Sequence, residues 1–341
     1  MSDRLIWGIL GTGNIARQFA AGVLASRTGW ISAVGSRSAA SAREFGYAFR
    51  VPSQWGDYQT VLKDPFVGAV YIALPNSMHH EWTIKALRAG KHVLCENPIA
   101  SNAAEAEEMF DVARENGRVL VEAFMYRSHP QTLAVIEAVR RGVIGELRLI
   151  RTSFCFRTMK IDGNIRFSRE LAGGALMDIG CYCVNFSRMV AGGEPTDVTV
   201  TGKLHASGVD ELAAGTMTFA NGIVASFTCG MTLHADNTAY LCGSEGFIEI
   251  PVPWKPPREN GGFMIARSTP PRMDSAGKAL PAPPPRERVV VNVNEDLYGI
   301  EADDFAACVA GQRNPRVTRE DSVGNMRVLD EMRKRLSVVS G

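Results

Sequence analysis

The chain has 341 residues, 45% of them hydrophobic and 21% charged, with 37 Lys plus Arg against 36 Asp plus Glu. That length exceeds one ordinary core and suits two domains. The even charge balance excludes the basic footprint of a nucleic-acid binder or of a protein drawn to anionic membranes, so neither partner is expected.

The first apolar run, Leu5–Leu10, stops at Gly11. It is too short for a signal-peptide core or a membrane span, so a cytoplasmic protein is expected. It reads instead as a buried strand, followed by a helix over Asn14–Ala25 and a strand over Trp30–Gly35. Further strands are predicted over Ala69–Leu74, His92–Cys95 and Arg118–Val121, with helices over about Met78–Ala89 and Ala103–Asn116. Asn102 can cap the last helix, Glu105 stands three residues on, and Gly117 ends it. Strand–helix alternation with short connections predicts a doubly wound parallel sheet.

Between the first strand and the first helix lies Gly11-x-Gly13-x-x-Ala16. Gly11 permits a tight turn, Gly13 lets backbone approach a pyrophosphate, and Ala16 keeps helix and strand close. The helix N-terminus then offers free N–H groups to phosphates, which makes Gly11, Thr12, Gly13, Asn14 and Ile15 candidate dinucleotide-binding residues. An NAD site usually carries Asp or Glu after the second strand, but here stand Ser36, Arg37 and Ser38, with no carboxylate before Glu44. A guanidinium between hydroxyls suits a 2′-phosphate, so NADP is expected over NAD.

The second half reads differently. Ala213–Phe219, Asn221-Gly222 and Ile223–Phe227 spell a hairpin with a primed turn. Short strands are predicted over Val198–Leu204, Ala239–Leu241 and Phe247–Ile250. Ten of the seventeen prolines lie between Pro251 and Pro285, which predicts extended loop or sheet edge. Thr318 and Asp321 start a closing helix whose stripe is Met326, Leu329, Met332 and Leu336. The seven cysteines are scattered through apolar stretches and read as buried, reduced thiols. Cys181 and Cys183 point to different faces of a helix, His205 and His234 stand alone, and no metal site is expected.

Three segments together resemble the glucose–fructose oxidoreductase/inositol dehydrogenase/MocA (GFO/IDH/MocA) family: Leu74-Pro75-Asn76-Ser77-Met78-His79, the run from Gly90 to Glu96-Asn97-Pro98, and the run from Gly173-Gly174 to Asp178-Ile179-Gly180-Cys181-Tyr182. The run Glu122–Pro130 is similar to the branch holding dimeric dihydrodiol dehydrogenase and NADP-linked xylose dehydrogenase. The resemblance implies a Rossmann domain over residues 1–122, then an α/β domain over 123–341 built on a large, mostly antiparallel, open-faced sheet that forms a homodimer. It implies hydride transfer between NAD(P), here read as NADP, and a sugar, sugar derivative or cyclic alcohol. Leu74, Pro75, Asn76, His79, Glu96 and Asn97 join the implied cofactor site, Asn76 and His79 flanking the nicotinamide ribose. Arg127, His129 and Arg166 are candidate substrate residues; Arg157 is a further arginine of the loop that closes on substrate in the family.

Moving a hydride to or from a carbinol carbon requires a proton at the adjoining oxygen. In the family a lysine supplies a cation beside that oxygen, and a Tyr or His one helical turn after an Asp completes the path. Here Asp178 and Tyr182 fill the later segment, with Asn185 continuing their face, and the Gly-Gly run is expected to bring the helix start near a ligand. Asn97 stands where the family carries the lysine. A carboxamide carries no charge, so Tyr182 is expected to titrate near the ordinary value of about 10. Three accounts of Asn97 stay open: an introduced change that traps a ligand, a natural one leaving a slow or altered enzyme, or another cation in the role, Lys160 being nearest by family geometry. The altered member would perform cofactor-assisted elimination or hydrolysis at a sugar, or would bind the dinucleotide without catalysis.

Overall fold

The computed structural model describes residues 4–269, 272–280 and 284–339. The first sheet has six strands: β1 (Leu5–Leu10), β2 (Gly29–Gly35), β3 (Ser53–Trp55), β4 (Ala69–Ile72), β5 (His92–Glu96) and β6 (Leu120–Ala123). Their order is β3-β2-β1-β4-β5-β6 and every pair is parallel, the doubly wound Rossmann arrangement. Its helices are α1 (Asn14–Ala25), α2 (Ala39–Phe49), α3 (Gln59–Lys63), α4 (His79–Arg88) and α5 (Ala103–Glu115). β1 and α1 match the sequence-based bounds, and Asn102 caps α5 by accepting the Glu105 N–H. Residues 39–63, which carry no expected element, form α2, β3 and α3; α2 buries only Ala42, Phe45 and Gly46, too thin a stripe to announce itself.

Beyond β6, α6 (Pro130–Arg140) leads to β7 (Leu147–Cys155), and α7 (Cys181–Ala191) to β8 (Pro195–Leu204), β9 (Asp210–Phe219) and β10 (Val224–Gly230). There follow β11 (Ala239–Gly243), β12 (Gly246–Ile250), β13 (Gly262–Arg267), the short ribbon β14 (Arg272–Met273) and β15 (Ala279–Leu280), and β16 (Arg286–Val290). Then come α8 (Leu297–Val309), α9 (Arg319–Arg335) and β17 (Ser337–Val338). Nine of these strands form one mixed sheet in the order β16-β13-β12-β11-β7-β10-β9-β8-β17. Only β7/β10 and β8/β17 run parallel. Along β8, Val198, Val200 and Gly202 are buried while Thr199 and Thr201 are exposed, so one face of the sheet is core and the other open.

The β9–β10 turn departs from expectation. Gly222 alone has positive φ (+81°) and its N–H donates to Phe219 O, so the loop is a three-residue turn ending in a left-handed glycine, not a two-residue primed turn. The proline-rich span is partly sheet, through β13 and β16; of its prolines, Pro270, Pro271, Pro281 and Pro283 lie outside the described residues. α9 begins with the capping box of Thr318 and Asp321 and buries Met326, Leu329 and Met332. α8 crosses back to the first sheet: its start packs on Gly22 of α1, and Phe305 meets Trp7 at 5.1 Å. Among the described residues no helix is long and apolar enough to cross a membrane.

Candidate active site

The turn after β1 is made by backbone. Gly11 has φ +105°, and a Cβ there would collide with the carbonyl of Ala73. A Cβ on Gly13 would meet no atom within 4 Å, so that side of the turn is open to a phosphate. α1 has no side-chain cap and no acidic residue in its first turn, leaving its N–H groups and positive dipole end free. This cradle fits the pyrophosphate of a dinucleotide. Thr12 Oγ1 lies 3.4 Å from Ser36 Oγ across the turn. Ser36 is buried at the end of β2, Ser38 caps α2 by accepting the Ser41 N–H, and Arg37 between them is exposed beside the Tyr58 phenol.

From this turn a cleft of about 670 Å³ runs between the two sheets, lined by Gly13, Asn14 and Ile15 at one end and by Asn97, Arg166, Asp178 and Tyr182 at the other. Leu74, Asn76, His79 and Glu96 border it as well, whereas Pro75 does not. Asn76 donates to Ala172 O at 2.9 Å, tying the dinucleotide side to the loop before Asp178. His79 is fully buried, and its two ring nitrogens lie 2.8 Å from the carbonyls of Leu74 and Pro98, so it fastens two loops beneath the cleft. Burial lowers its pKa.

Asn97 follows β5 and joins the two halves. Its Nδ2 donates to Ala123 O at 2.8 Å and to the Tyr182 hydroxyl at 2.9 Å, while its Oδ1 accepts from Cys181 Sγ at 3.3 Å. Asp178 sits on a wide π turn, Leu176–Gly180, that runs into α7, where Tyr182 is the second residue. Asp178 turns to Arg166, whose Nε lies 2.8 Å from its Oδ2. Burial, then the Glu96 carboxylate, push the Tyr182 phenol well above its ordinary value, and the Asn97 hydrogen bond only partly offsets this. The expected value near 10 is therefore corrected: desolvation dominates at this site. Burial likewise raises Glu96 to about 7, tempered by the hydroxyl of Tyr71, which donates to it.

Other expectations are corrected. Arg127 is buried away from the cleft, donating to Asn185 Oδ1, Arg316 O and Asp321 Oδ2; a buried guanidinium finds acceptors on neighbouring helices. His129 is 1% exposed, caps α6 by accepting the Gln131 N–H, and burial lowers it to about 4. Asn185 bonds Tyr126 and Arg127, not the cleft. A Cβ on Gly173 or Gly174 would strike Arg166 O or Asp210 Oδ1, so the glycines permit contact within the chain, not with a ligand. Lys160 and Arg157 are exposed outside the cleft lining. Besides Arg166, Lys255 lines the cleft, beside Trp254 in the proline-rich stretch. Phe154, Phe156 and Trp254 add an aromatic wall, and only the isolated Pro-x-Pro-Trp-Lys of residues 251–255 could have hinted at it.

Residues 5–124 match the model described as oxidoreductase family, NAD-binding Rossmann fold, and residues 132–249 match the GFO/IDH/MocA C-terminal domain. The mouse protein named trans-1,2-dihydrobenzene-1,2-diol dehydrogenase is 37% identical over 255 residues, covering 74% of this chain and 76% of its own. A 3-ketoreductase from Actinomadura kijaniata, solved with NADP and TDP-benzene, aligns with a TM-score of 0.86 at 29% identity over 98% of this chain and 99% of that one. The aldose-aldose oxidoreductase from Caulobacter crescentus, solved with glycerol, gives 0.84 at 25% identity over 97% of both chains. With both halves matched and a glycine turn shaped for a pyrophosphate, the chain belongs to the GFO/IDH/MocA family of NAD(P)-dependent oxidoreductases.

Proposed function

We propose that the protein is an NADP-dependent reductase of a carbonyl on a sugar, sugar derivative or cyclic alcohol, with Tyr182 as the proton donor. The observation that carries this is the Tyr182 hydroxyl, held by Asn97 at 2.9 Å in a cleft that also begins at the α1 turn. A phenol raised well above its ordinary value keeps its proton at neutral pH, which suits donation to a forming alkoxide better than abstraction from an alcohol. When bound, the reduced nicotinamide supplies the hydride. Tyr182 breaks its O–H bond toward the substrate oxygen, and the Asn97 amide, already donating to the phenol oxygen, steadies the phenolate without adding charge.

Arg37 at the start of α2, where no first-turn carboxylate competes, favours the 2′-phosphate of NADP. The aromatic wall accommodates the apolar face of a ring, and the Arg166–Asp178 pair offers a donor and an acceptor to its hydroxyls. The mouse relative's named diol and the ketoreductase's NADP agree with this chemistry. Self-association through the open face of the nine-stranded sheet, and a cytoplasmic setting suited to seven unpaired thiols, belong to the same proposal.

The test follows oxidation of NADPH in the presence of aldoses, 1,5-anhydrofructose and cyclic ketones, and the reverse reaction with diols. At least one carbonyl is turned over, and Tyr182→Phe lowers kcat by about 10²–10⁴ while leaving the Kd for NADPH within a factor of about two. An undiminished Tyr182→Phe rate would remove the tyrosine from the mechanism. NADPH binding with no turnover in either direction would replace the reading with a non-catalytic one.

A further inference from the structure

α1 meets its expected anion with little charge of its own. No acidic or basic side chain occupies its first turn, and Arg17, its nearest cation, is paired with Glu44 at 2.7 Å. Opposite this helix a strap of the second half, residues 251–258, crosses the cleft: Pro251, Val252, Pro253, Trp254 and Lys255 form one wall while Gly13, Asn14, Ile15 and Gln18 form the other. The strap lies past the end of both matched family regions, which cover residues 5–124 and 132–249.

The strap is anchored. Val252 O accepts from Gln131 Nε2 at 2.9 Å, Trp254 Nε1 donates to Ser153 O at 2.8 Å, and the Trp254 ring stacks on Phe154 at 5.6 Å. The Val293 N–H donates to Arg258 O at 2.9 Å beyond the crossing. From this fixed base the Lys255 ammonium reaches across to Gln18 Oε1 at 3.3 Å. Gln18 stands four residues after Asn14, about 6 Å along the helix axis, so the ammonium rests one turn from the N–H groups that await a pyrophosphate. Its facing charges are Glu96, Asp178 and Arg166, and Asp178 is already taken by Arg166.

We propose that Lys255 is a dinucleotide-binding residue whose ammonium leaves Gln18 for the pyrophosphate, so that the strap clasps the cofactor from the second half of the chain. This rests on the dinucleotide site proposed above. A lysine stem is long and its ammonium swings freely, so the exchange of a neutral amide for an anion needs no backbone movement. Because Trp254 is the preceding residue and stands in the aromatic wall of the cleft, the clasp also ties cofactor occupancy to that wall.

Fluorescence titration with NADPH and with NADH tests it, using Lys255→Met, Lys255→Arg and Arg37→Met. The pyrophosphate is common to both dinucleotides, so Lys255→Met raises both Kd values about tenfold, and Lys255→Arg stays near the parent. Arg37→Met weakens NADPH alone, which shows the assay separates the two phosphate contacts. Unchanged affinities in Lys255→Met, a loss confined to NADPH, or a Lys255→Arg as weak as Lys255→Met would each overturn the clasp. If the unaltered chain bound neither dinucleotide, the reading of the site itself would fall, a result distinct from all three.

Discussion

The two ends of the cleft are built by different means. The dinucleotide end is backbone: a left-handed glycine, a second glycine with open space in place of a Cβ, and an uncapped helix. The end proposed for substrate is side chains from distant segments: Asn97 after β5, Arg166 and Asp178 before α7, Tyr182 on α7, and Trp254 after β12. A backbone site is all or nothing, because its geometry is the fold's geometry. A side-chain site can be retuned one group at a time.

The sharpest way to break this contrast is Gly11→Ala. The new Cβ meets both a positive φ and the Ala73 carbonyl, so stability falls by about 2–4 kcal/mol and dinucleotide binding is lost. Thermal melting and NADPH titration read this; a variant that melts and binds like the parent would show the end is not backbone-defined. Asn97→Lys sharpens the other side. An ammonium beside Tyr182 Oη lowers the phenol's pKa and opens a second proton route, so turnover rises at least about tenfold and the alkaline limb of the pH profile moves down. An unchanged or lower rate would mean that position 97 is not a vacant catalytic post.

The smallest expected effect lies below the cleft. Burial raises Glu122 to about 7 from an ordinary 4.5, its Oε1 accepting the Ile99 N–H. A carboxyl whose folded pKa is raised stabilises fully below its unfolded value and loses that contribution as pH climbs through the folded one. The Glu122 contribution to the melting temperature therefore declines between pH 4.5 and about 7, and Glu122→Gln removes that part of the pH dependence, at about 2–4 °C per kcal/mol. His129 works against it: held near 4, it costs stability as pH falls below the unfolded value, while Glu96, also raised to about 7, acts in the same sense as Glu122, so the prediction is read from the change in slope on substitution. A Glu122→Gln slope equal to the parent's would show that the buried carboxyl is not the source.

The same contrast explains what could be read beforehand. Gly11, Gly13 and Ala16 act within six residues, so spacing alone announces the turn, and β1 and α1 come out with their ends in place. The Tyr182–Asn97 bond spans 85 residues and was legible only through resemblance of the two segments to a family pattern. Arg127 and His129 looked suited to the cleft by position, but a buried arginine goes where acceptors are, and Asp321 lies 194 residues further on. Lys255 had no local signal because its value depends on where a strap crosses the cleft. Desolvation of Tyr182 was equally invisible, since Phe124, Phe154 and Trp254 enclose its ring only after folding.

The return of α8 to α1 bears on how the chain comes off the ribosome. Trp7 lies against Phe305, and Gly22 against Tyr298 and Gly299, so the earliest helix synthesised is finished by one of the last. Until that late segment emerges, the nascent first half carries a bare aromatic flank at physiological temperature.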